Sequence, residues 1–349
     1  MLSQTSQSSY PTNKKARQPL CALLFLLLLV LAFALSLVFG AEKVNVAAIW
    51  GQGTKFENII LWRIRLPRCL LVLVTGILLG GSGATFQLFF RNPLAEPGIM
   101  GISSGATLGA VIATVILATM PMPHALEAIM KFISPINLCA FIGALGAGFF
   151  VTALAFSKAG KASSVMLLLC GTALGTLWSA ISSAILLTSN KELHSIYTWI
   201  LGSFNGRGWK ELIFIAIPSA ISVIIMLAVS RPLDLLTCGE KTAATLGVEV
   251  DRLRIWVLAS GALAVSAGVC AGGTIGFVGL IAPHIVRKLT GSKGKTLIPF
   301  SMCFGAALLL ASDTIARTAI APGELPAGII TSILGVPFFL SLCLTRKNS

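Results

Sequence analysis

Long apolar stretches separated by short polar segments dominate the sequence from residue 20 to residue 345. A helix that crosses a bilayer needs about 20 predominantly apolar residues. Ten stretches reach or approach that length: Leu20–Gly40, Ile64–Phe86, Gly101–Thr119, Pro135–Phe156, Ser163–Leu187, Leu212–Ser230, Leu253–Cys270, Ile275–Leu289, Leu297–Ala316 and Ala327–Thr345. The pattern therefore predicts an all-α integral membrane protein with about ten transmembrane helices.

Composition supports the membrane assignment. Of the 349 residues, 56% are hydrophobic and 11% are charged, whereas soluble domains are about a quarter charged. The net charge of +14 could indicate nucleic-acid binding, but with a cytosolic N-terminus 16 of the 26 Lys and Arg fall in cytosolic segments. This bias follows the positive-inside rule. We predict a multi-pass protein of the cytoplasmic (inner) membrane, in contact with lipid, with both termini cytosolic and no nucleic-acid partner.

The N-terminal region is predicted to be disordered and cytosolic over residues 1–19, because it is polar and rich in Ser and Gln. Its basic residues precede an apolar run, as in a signal peptide. The charge-free run Gln18–Ala41 is, however, 24 residues long, which exceeds a usual signal core. We therefore expect an uncleaved first span and one transmembrane domain over residues 20–346.

An interrupted segment follows the second span. Residues Asn92–Gly101 contain Pro93, Pro97 and the acid Glu96. Proline does not fit inside a continuous helix, and unpaired backbone groups are costly in lipid. The segment is therefore expected to be buried in protein or to line a polar cavity, as the interrupted helices of transporters do.

The seventh span resembles the second. Residues Val257–Val269 and Val72–Ala84 align at an offset of 185 residues and share several Val, Leu and Gly positions. Five spans separate the two copies, and an odd number reverses the orientation. This predicts an inverted repeat of two five-helix halves, near residues 60–190 and 250–346, which is typical of alternating-access transporters.

The cytosolic loop 231–254 is predicted to be folded. Thr237 and Glu240 have the spacing of a capping box, Gly247 can end a short helix, and Asp251 can cap the next span. Two short capped helices would form a rigid knob. This favours a docking element over a flexible linker.

The sequence predicts neither enzymatic chemistry nor a bound cofactor. Gly294-Lys295-Thr296 imitates a phosphate loop, but Leu289 stands where that motif needs its first glycine. The three histidines are far apart and no CxxC pair occurs, so no metal site is predicted. Asp313 is the only acid inside a span and can pair with Arg317 one turn later. One paired acid argues against a proton-coupled carrier.

Several sequence blocks carry a family resemblance: RLPR (65–68), NPLAEPGIMGISSGA (92–106), LLLCGTALG (167–175), GTIGFVGLIAPHIVR (273–287), ASDTIAR (311–317) and ELPAGIITSILGVPFFL (324–340). In this order they resemble the FecCD-type permeases of binding-protein-dependent ATP-binding cassette (ABC) importers for iron–siderophores, haem or cobalamin. The resemblance implies a type II importer fold and a homodimer around one path. It also implies a cytosolic ATPase dimer, which would use ATP and Mg, and an outer substrate-binding protein.

The resemblance also implies roles for residues that match the family's motifs. The loop between Thr237 and Asp251 would couple the permease to the ATPase, with Leu246 and Gly247 at its turn and Glu240 in its short helix. The residues that would dock the binding protein are Arg65, Arg68 and Arg317. The residues that would form the translocation gate are Asn92, Leu94, Ser163 and Ser164. Cys170 and Thr172 depart from the small apolar residues expected in their block.

The predicted function is that of the membrane subunit of an ATP-driven importer for a siderophore or haem iron complex. A cobalamin importer with the same mechanism is the alternative, and the second permease copy could be a paralogue. An ion-coupled secondary transporter would instead need intramembrane carboxylates. A receptor or scaffold would have no use for a broken segment at membrane depth.

Overall fold

The computed structural model describes residues 18–40, 42, 52–119, 134–157, 164–188 and 193–346. Within these residues the regular structure is entirely helical. The helices are α1 (Gln18–Val38), α2 (Lys55–Ile59), α3 (Leu66–Phe89), α4 (Ile102–Thr119), α5 (Pro135–Ser157), α6 (Ser164–Thr188), α7 (Leu193–Ile200), α8 (Trp209–Ala228), α9 (Ser230–Thr237), α10 (Glu240–Thr245), α11 (Val250–Gly272), α12 (Val278–Thr290), α13 (Gly294–Thr318) and α14 (Ala327–Arg346). A π-helical turn, Ile60–Arg65, joins α2 to α3, and Pro97–Met100 form a 3-10 turn.

Each of the ten predicted spans corresponds to one of these helices, and the ends agree within three residues. In the described part of the chain, seven helices are long and apolar enough to cross a membrane. They are α1, α5, α6, α8, α11, α13 and the continuous helix Lys55–Phe89, which comprises α2, the π-helical turn and α3. Helices α4 and α14 contribute shorter apolar stretches, and α12 has only 13 residues. Helices α4 and α12 each follow one of the interruptions described below.

Helices α3, α11 and α13 form the core. Most of the residues in their apolar stretches are buried, whereas α1, α6 and α8 leave most of theirs at the surface. Association of helices in lipid depends on close packing rather than on a hydrophobic drive between them. The polar end that holds residues 52–65, 201–208 and 319–326 is here called the outer end, after the predicted topology.

Glycines allow α3 and α13 to touch through their backbones. A Cβ atom built on Gly80 would lie 2.1 Å from the Ser301 carbonyl oxygen, and one on Gly76 would lie 2.5 Å from the Ala306 Cα. Both distances are far below van der Waals contact. A second such contact joins α4 to α5, where a Cβ on Gly143 would lie 2.4 Å from the Gly105 carbonyl oxygen.

We expect Gly80→Ala to destabilise the protein by about 1–3 kcal/mol, because the added methyl group forces the two backbones apart. Gly146→Ala is the matched control, since a Cβ at this position in α5 meets no atom within 4 Å. The measurement is the thermal unfolding midpoint of each purified variant in the same detergent. Equal midpoints for the two variants would contradict the close contact.

Candidate functional site

The segment that joins α3 to α4, residues 90–101, is here called the first break. It begins with Arg91 in the left-handed region at φ +50°. The Asn92 side chain accepts a hydrogen bond of 3.0 Å from the Leu94 backbone N–H, so the Asn-Pro-Leu sequence forms a turn closed by its own side chain. Gly101 ends the 3-10 turn at φ +72°. The chain then continues into α4.

The first break is buried in protein and lines a cavity, as its two prolines predict. Ala95 and Met100 are 2% and 1% exposed, and Glu96, Pro97 and Gly98 face the cavity. Gly101 packs closely on α6, because a Cβ there would lie 2.8 Å from a backbone oxygen of that helix. The interruption is therefore shielded from lipid, as an irregular backbone at membrane depth must be.

The four predicted gate residues are only partly described. Asn92 and Leu94 are half-buried in the first break. Ser164 begins α6, and Ser163 lies outside the described residues. Their role as a gate stays a prediction.

The second break, residues 273–277, separates α11 from α12. Gly273 has φ +74°, and a Cβ atom there would lie 2.1 Å from the Trp199 carbonyl oxygen. The Thr274 hydroxyl donates to the Ile200 carbonyl at the end of α7. The second break is therefore held against α7 by its own backbone and by one hydroxyl group.

The last turn of α11 is capped by Arg207, a residue that the sequence did not single out. Its Nη1 donates to the Cys270 and Ala271 carbonyls at 2.6 and 2.9 Å, which have no helical donors because the helix ends there. It also lies 3.3 Å from the Asn137 side-chain oxygen of α5. Burial lowers the pKa of the Arg207 guanidinium. No local spacing marks this contact, because Arg207 and its acceptors are far apart in the sequence.

A polar contact from α3 compensates for a proline inside α12. Pro283 has no N–H, so the Gly279 carbonyl one turn earlier lacks its helical donor. The Gln87 side-chain amide donates to this carbonyl at 3.2 Å, and the Gln87 side-chain oxygen accepts from Arg287 at 2.8 Å. The resemblance between the second and seventh spans does not reveal this contact, which joins α3 to α12.

The two breaks enclose a cavity of about 640 Å³. Of the described residues that line it, Glu96 alone is charged, and the other polar side chains are hydroxyls. Several of these hydroxyls already donate to backbone carbonyls, including those of Ser82 and Ser332. The wall is completed by Leu79, Pro97, Gly98, Ser103, Ile200, Leu201, Val265, Gly268, Val269, Gly273, Thr274, Ile275, Gly276, Gly279, Gly328, Ile329 and Ile333. Such a wall offers few groups that would hold a polar solute tightly.

A buried ionic cluster lies toward the outer end. Arg68 forms 2.8 Å ion pairs with Asp313 and with Glu324. Arg317 lies 3.1 Å from Asp313, which confirms the predicted pair one helical turn apart, and it donates to the Ser36 hydroxyl at 2.7 Å. The cluster therefore joins α1, α3 and α13 and neutralises the acid inside α13.

Arg65 also turns inward. Its guanidinium donates to the carbonyls of Leu37 and Val38, the last two residues of α1, at 3.0 and 2.6 Å, and to the Glu42 carbonyl. A basic group is favourable at the carbonyl end of a helix.

The family resemblance implies that Arg65, Arg68 and Arg317 dock the binding protein, but in the single chain these three residues do not lie at the surface. Their side chains are buried, with residue exposures of 4%, 6% and 3%. All three bind groups of their own chain. Their role in docking a binding protein stays a prediction.

The cytosolic loop is folded, but two of its predicted caps are wrong. Thr237 ends α9 and its hydroxyl donates to the Asp234 carbonyl, while Gly239 precedes α10 with no side-chain cap. The predicted capping box between Thr237 and Glu240 is therefore absent. Asp251 lies inside the first turn of α11, and it pairs with Arg254 at 3.1 Å instead of capping the helix.

The predicted helix end at Gly247 is confirmed. Gly247 has φ +86° and its N–H donates to the Ala244 carbonyl, while the Val248 N–H donates to the Ala243 carbonyl. This pair of hydrogen bonds is a Schellman motif. Leu246, just before the glycine, is 59% exposed. The turn therefore presents an apolar side chain on a rigid backbone.

The loop is fastened to the membrane helices by Asp234 of α9. Its carboxylate accepts a hydrogen bond of 2.5 Å from the Gly294 backbone N–H at the start of α13. A carboxylate at a helix N-terminus pairs with free N–H groups and with the positive end of the helix dipole. Movement of the loop would therefore be passed directly to a core helix.

Comparison with known proteins places the chain in a family. The profile of the FecCD transport family matches residues 28–345. The chain is 36% identical to the hemin transport system permease protein HmuU of Yersinia pestis, over 95% of this chain and 97% of HmuU. It is 38% identical to the cobalamin import system permease protein BtuC of Halobacterium salinarum, over 91% of this chain and 79% of BtuC.

The fold is also similar to a solved structure. An inward-facing transporter assigned to the metal-chelate type of ABC transporter superposes with a TM-score of 0.81 at 32% identity, covering 94% of this chain and 99% of that one. The similarity in sequence and in fold extends over nearly the whole chain, including both breaks and the cytosolic loop. The chain therefore belongs to the FecCD transport family of ABC importer permeases.

Proposed function

We propose that this chain is the membrane-spanning subunit of an ATP-driven importer that carries an iron complex, a siderophore or haem, from the outer face to the cytoplasm. The observation that supports this most is the cavity between two interrupted helices, in a chain similar over its full length to a hemin permease. We further propose the cytoplasmic membrane as its location, with both termini in the cytosol.

The proposed assembly contains three kinds of partner. A second copy of this chain would pair with it to enclose the path. A substrate-binding protein would deliver the cargo to the outer end. A dimeric ATPase would bind the cytosolic loop and use ATP and Mg, so that this chain itself binds no cofactor and catalyses no reaction.

A cobalamin importer is the second candidate. The 38% identity to the Halobacterium salinarum cobalamin permease supports it, and the cavity wall, which is apolar with scattered hydroxyls, suits either cargo. In both cases recognition would lie mainly in the binding protein, because a path that binds its cargo weakly can release it.

The cargo can be identified from the assembled transporter. We expect proteoliposomes that contain the chain and its ATPase to take up an iron chelate or haem, supplied on the purified binding protein, only when ATP is present. The absorption spectrum of the ligand that copurifies with the binding protein gives its class. A haem or ferric charge-transfer band supports the first proposal, and a corrin spectrum supports the alternative. Uptake without ATP would contradict both.

Coupling to the ATPase is proposed to act through the turn at Leu246 and Gly247. We expect Leu246→Asp to remove the apolar contact and Gly247→Ala to strain the left-handed turn, which costs about 1–2 kcal/mol. In either variant ATP hydrolysis would continue while transport per ATP falls at least about tenfold, which corresponds to about 1.4 kcal/mol of lost coupling. The measurement is uptake and ATP hydrolysis in the same proteoliposomes.

Glu249→Gln is the control for this experiment, because Glu249 is exposed in the same loop and its ion pair with Arg252 is exposed as well. We expect transport per ATP to remain at the wild-type value in this variant. Unchanged coupling in both the Leu246 and Gly247 variants would remove the proposed role of the turn.

Docking of the binding protein is proposed to use exposed bases at the outer end. Arg63 and Lys210 are exposed there. In contrast, Arg68 is buried and forms ion pairs with Asp313 and Glu324. We expect the double variant Arg63→Glu, Lys210→Glu to weaken docking, and more strongly at low salt because exposed charges are screened. We expect Arg68→Gln to lower the unfolding free energy by about 1–3 kcal/mol, because it removes one of the two bases that pair with the buried Asp313.

The binding-protein dissociation constant at two salt concentrations and the thermal unfolding midpoint separate these two effects. If Arg68→Gln abolishes docking with an unchanged midpoint, the buried arginines carry the docking contact and the proposed role of the exposed pair is wrong.

A further inference from the structure

Helix α12 lacks one of its own hydrogen bonds at Pro283, and this position is here called the joint. Proline has no N–H, so the Gly279 carbonyl one turn earlier has no donor at the usual helical position. Kinks in helices occur mainly at such positions. Gly279 lies in the first turn of α12, directly after the second break, and lines the cavity. A bend at the joint would therefore move a part of the cavity wall.

Helix α3 lies directly against the joint. A Cβ atom built on Gly83 would lie 1.9 Å from the Gly279 carbonyl oxygen, and one on Gly279 would lie 3.0 Å from the Leu79 carbonyl oxygen. Glycines at both positions thus bring the two backbones into contact. Gln87 follows Gly83 by one helical turn, so its side chain can reach the carbonyl that the proline leaves without a helical donor.

The Gln87 side chain closes the joint. Its Nε2 donates to the Gly279 carbonyl at 3.2 Å, and its Oε1 accepts from Arg287 Nη2 at 2.8 Å. A carbonyl group only accepts and a guanidinium only donates, so a single orientation of the amide satisfies both groups. Gln87 is 2% exposed, which leaves solvent little access to replace it as the donor. One side chain of α3 thus binds the first and the last turn of α12.

We propose that Gln87 is a positioning residue for transport: from α3 it supplies the hydrogen bond that Pro283 removes from α12, and it thereby sets the place of Gly279 in the cavity wall. A bond within a helix breaks only when that helix unwinds, whereas the Gln87 bond opens when α3 and α12 separate. The joint can therefore open without unwinding α12. The consequence for transport rests on the proposed importer function, whereas the bond across the joint does not.

The bond across the joint can be tested in the purified chain without a transport assay. We expect Gln87→Met, which keeps the side-chain length but removes the donor, to lower the thermal unfolding midpoint by about 2 °C or more, because it leaves a buried carbonyl unpaired. Pro283→Ala restores the N–H within α12, so in that background Gln87→Met should lower the midpoint by about half as much or less. Equal losses in the two backgrounds would overturn the proposal.

Pro218→Ala is the matched control for the change of proline. Pro218 lies inside α8, on the outer side of the contact between Gly81 and Met226, whereas Gln87 lies on the cytosolic side of that contact. Distant sites contribute additively to stability, so Gln87→Met should cause its full loss of midpoint in the Pro218→Ala background. A smaller loss there would show a general effect of removing a proline and would overturn the assignment to the joint.

Gln87→Glu covers the case that Gln87→Met does not fold. A carboxylate still accepts from Arg287 but offers no donor to the Gly279 carbonyl. We expect this variant, too, to lose less of its unfolding midpoint in the Pro283→Ala background than in the wild-type background. Equal losses would again overturn the proposal.

Uptake gives a readout that a merely structural role would not move. In the assembled transporter we expect Gln87→Met and Pro283→Ala each to lower the maximal uptake rate about fivefold or more, which corresponds to about 1 kcal/mol at the barrier, with unchanged affinity for the binding protein. Pro283→Ala should do so without lowering the unfolding midpoint, because alanine completes the helix and removes the joint.

The double variant Gln87→Met, Pro283→Ala separates the two roles. We expect it to regain most of the unfolding midpoint that Gln87→Met loses, while its uptake stays low because the joint is absent. Uptake that rises and falls with the midpoint in all three variants, or wild-type uptake in Pro283→Ala, would overturn the positioning role.

The two proposals fail differently. If the wild-type assembly transports none of the iron, haem or cobalamin probes while the effect of Gln87→Met still depends on Pro283, the importer function is wrong and the bond across the joint stands. If ATP-driven uptake is present but the losses of midpoint are equal in both backgrounds, the joint is wrong and the importer function stands.

Discussion

The fold depends on one constraint, that every backbone polar group at membrane depth must find a partner inside the protein. Continuous helices meet it by themselves, but this chain interrupts two of its helical paths. Around the second interruption, groups from distant parts of the chain take over. Arg207 caps the end of α11, and Gln87 replaces the donor that Pro283 lacks. Carbonyl groups that the helices leave unpaired therefore find partners elsewhere in the chain.

The interruptions also explain why the cavity lies where it does. An interrupted helix creates space beside it, and residues of both breaks, among them Gly98 and Thr274, line that space. Thr274 and Gly328 fasten the second break and α14 to the turn after α7. The second break, α7 and α14 are therefore linked by direct hydrogen bonds.

Charged side chains have different kinds of partner at the two ends of the molecule. Near the outer end Arg68 and Arg317 surround the buried Asp313, a local pairing that binds three helices together. At the cytosolic loop Asp234 binds the start of α13, while the apolar Leu246 remains exposed. The buried cluster is thus paired within the chain, whereas the loop presents an exposed apolar side chain on a rigid backbone.

The sequence by itself determined the helices, the first break, the turn at Gly247 and the pair of Asp313 with Arg317. All of these are local, because helix periodicity, proline geometry and one-turn spacing act within a few residues. Family blocks added the fold class. The tertiary structure alone decided that Arg65 and Arg68 point inward, that Thr237 and Asp251 do not cap, and that Gln87 and Arg207 bind carbonyl groups of distant helices. Those outcomes depend on which backbone groups are left unpaired after packing, and no local pattern carries that information.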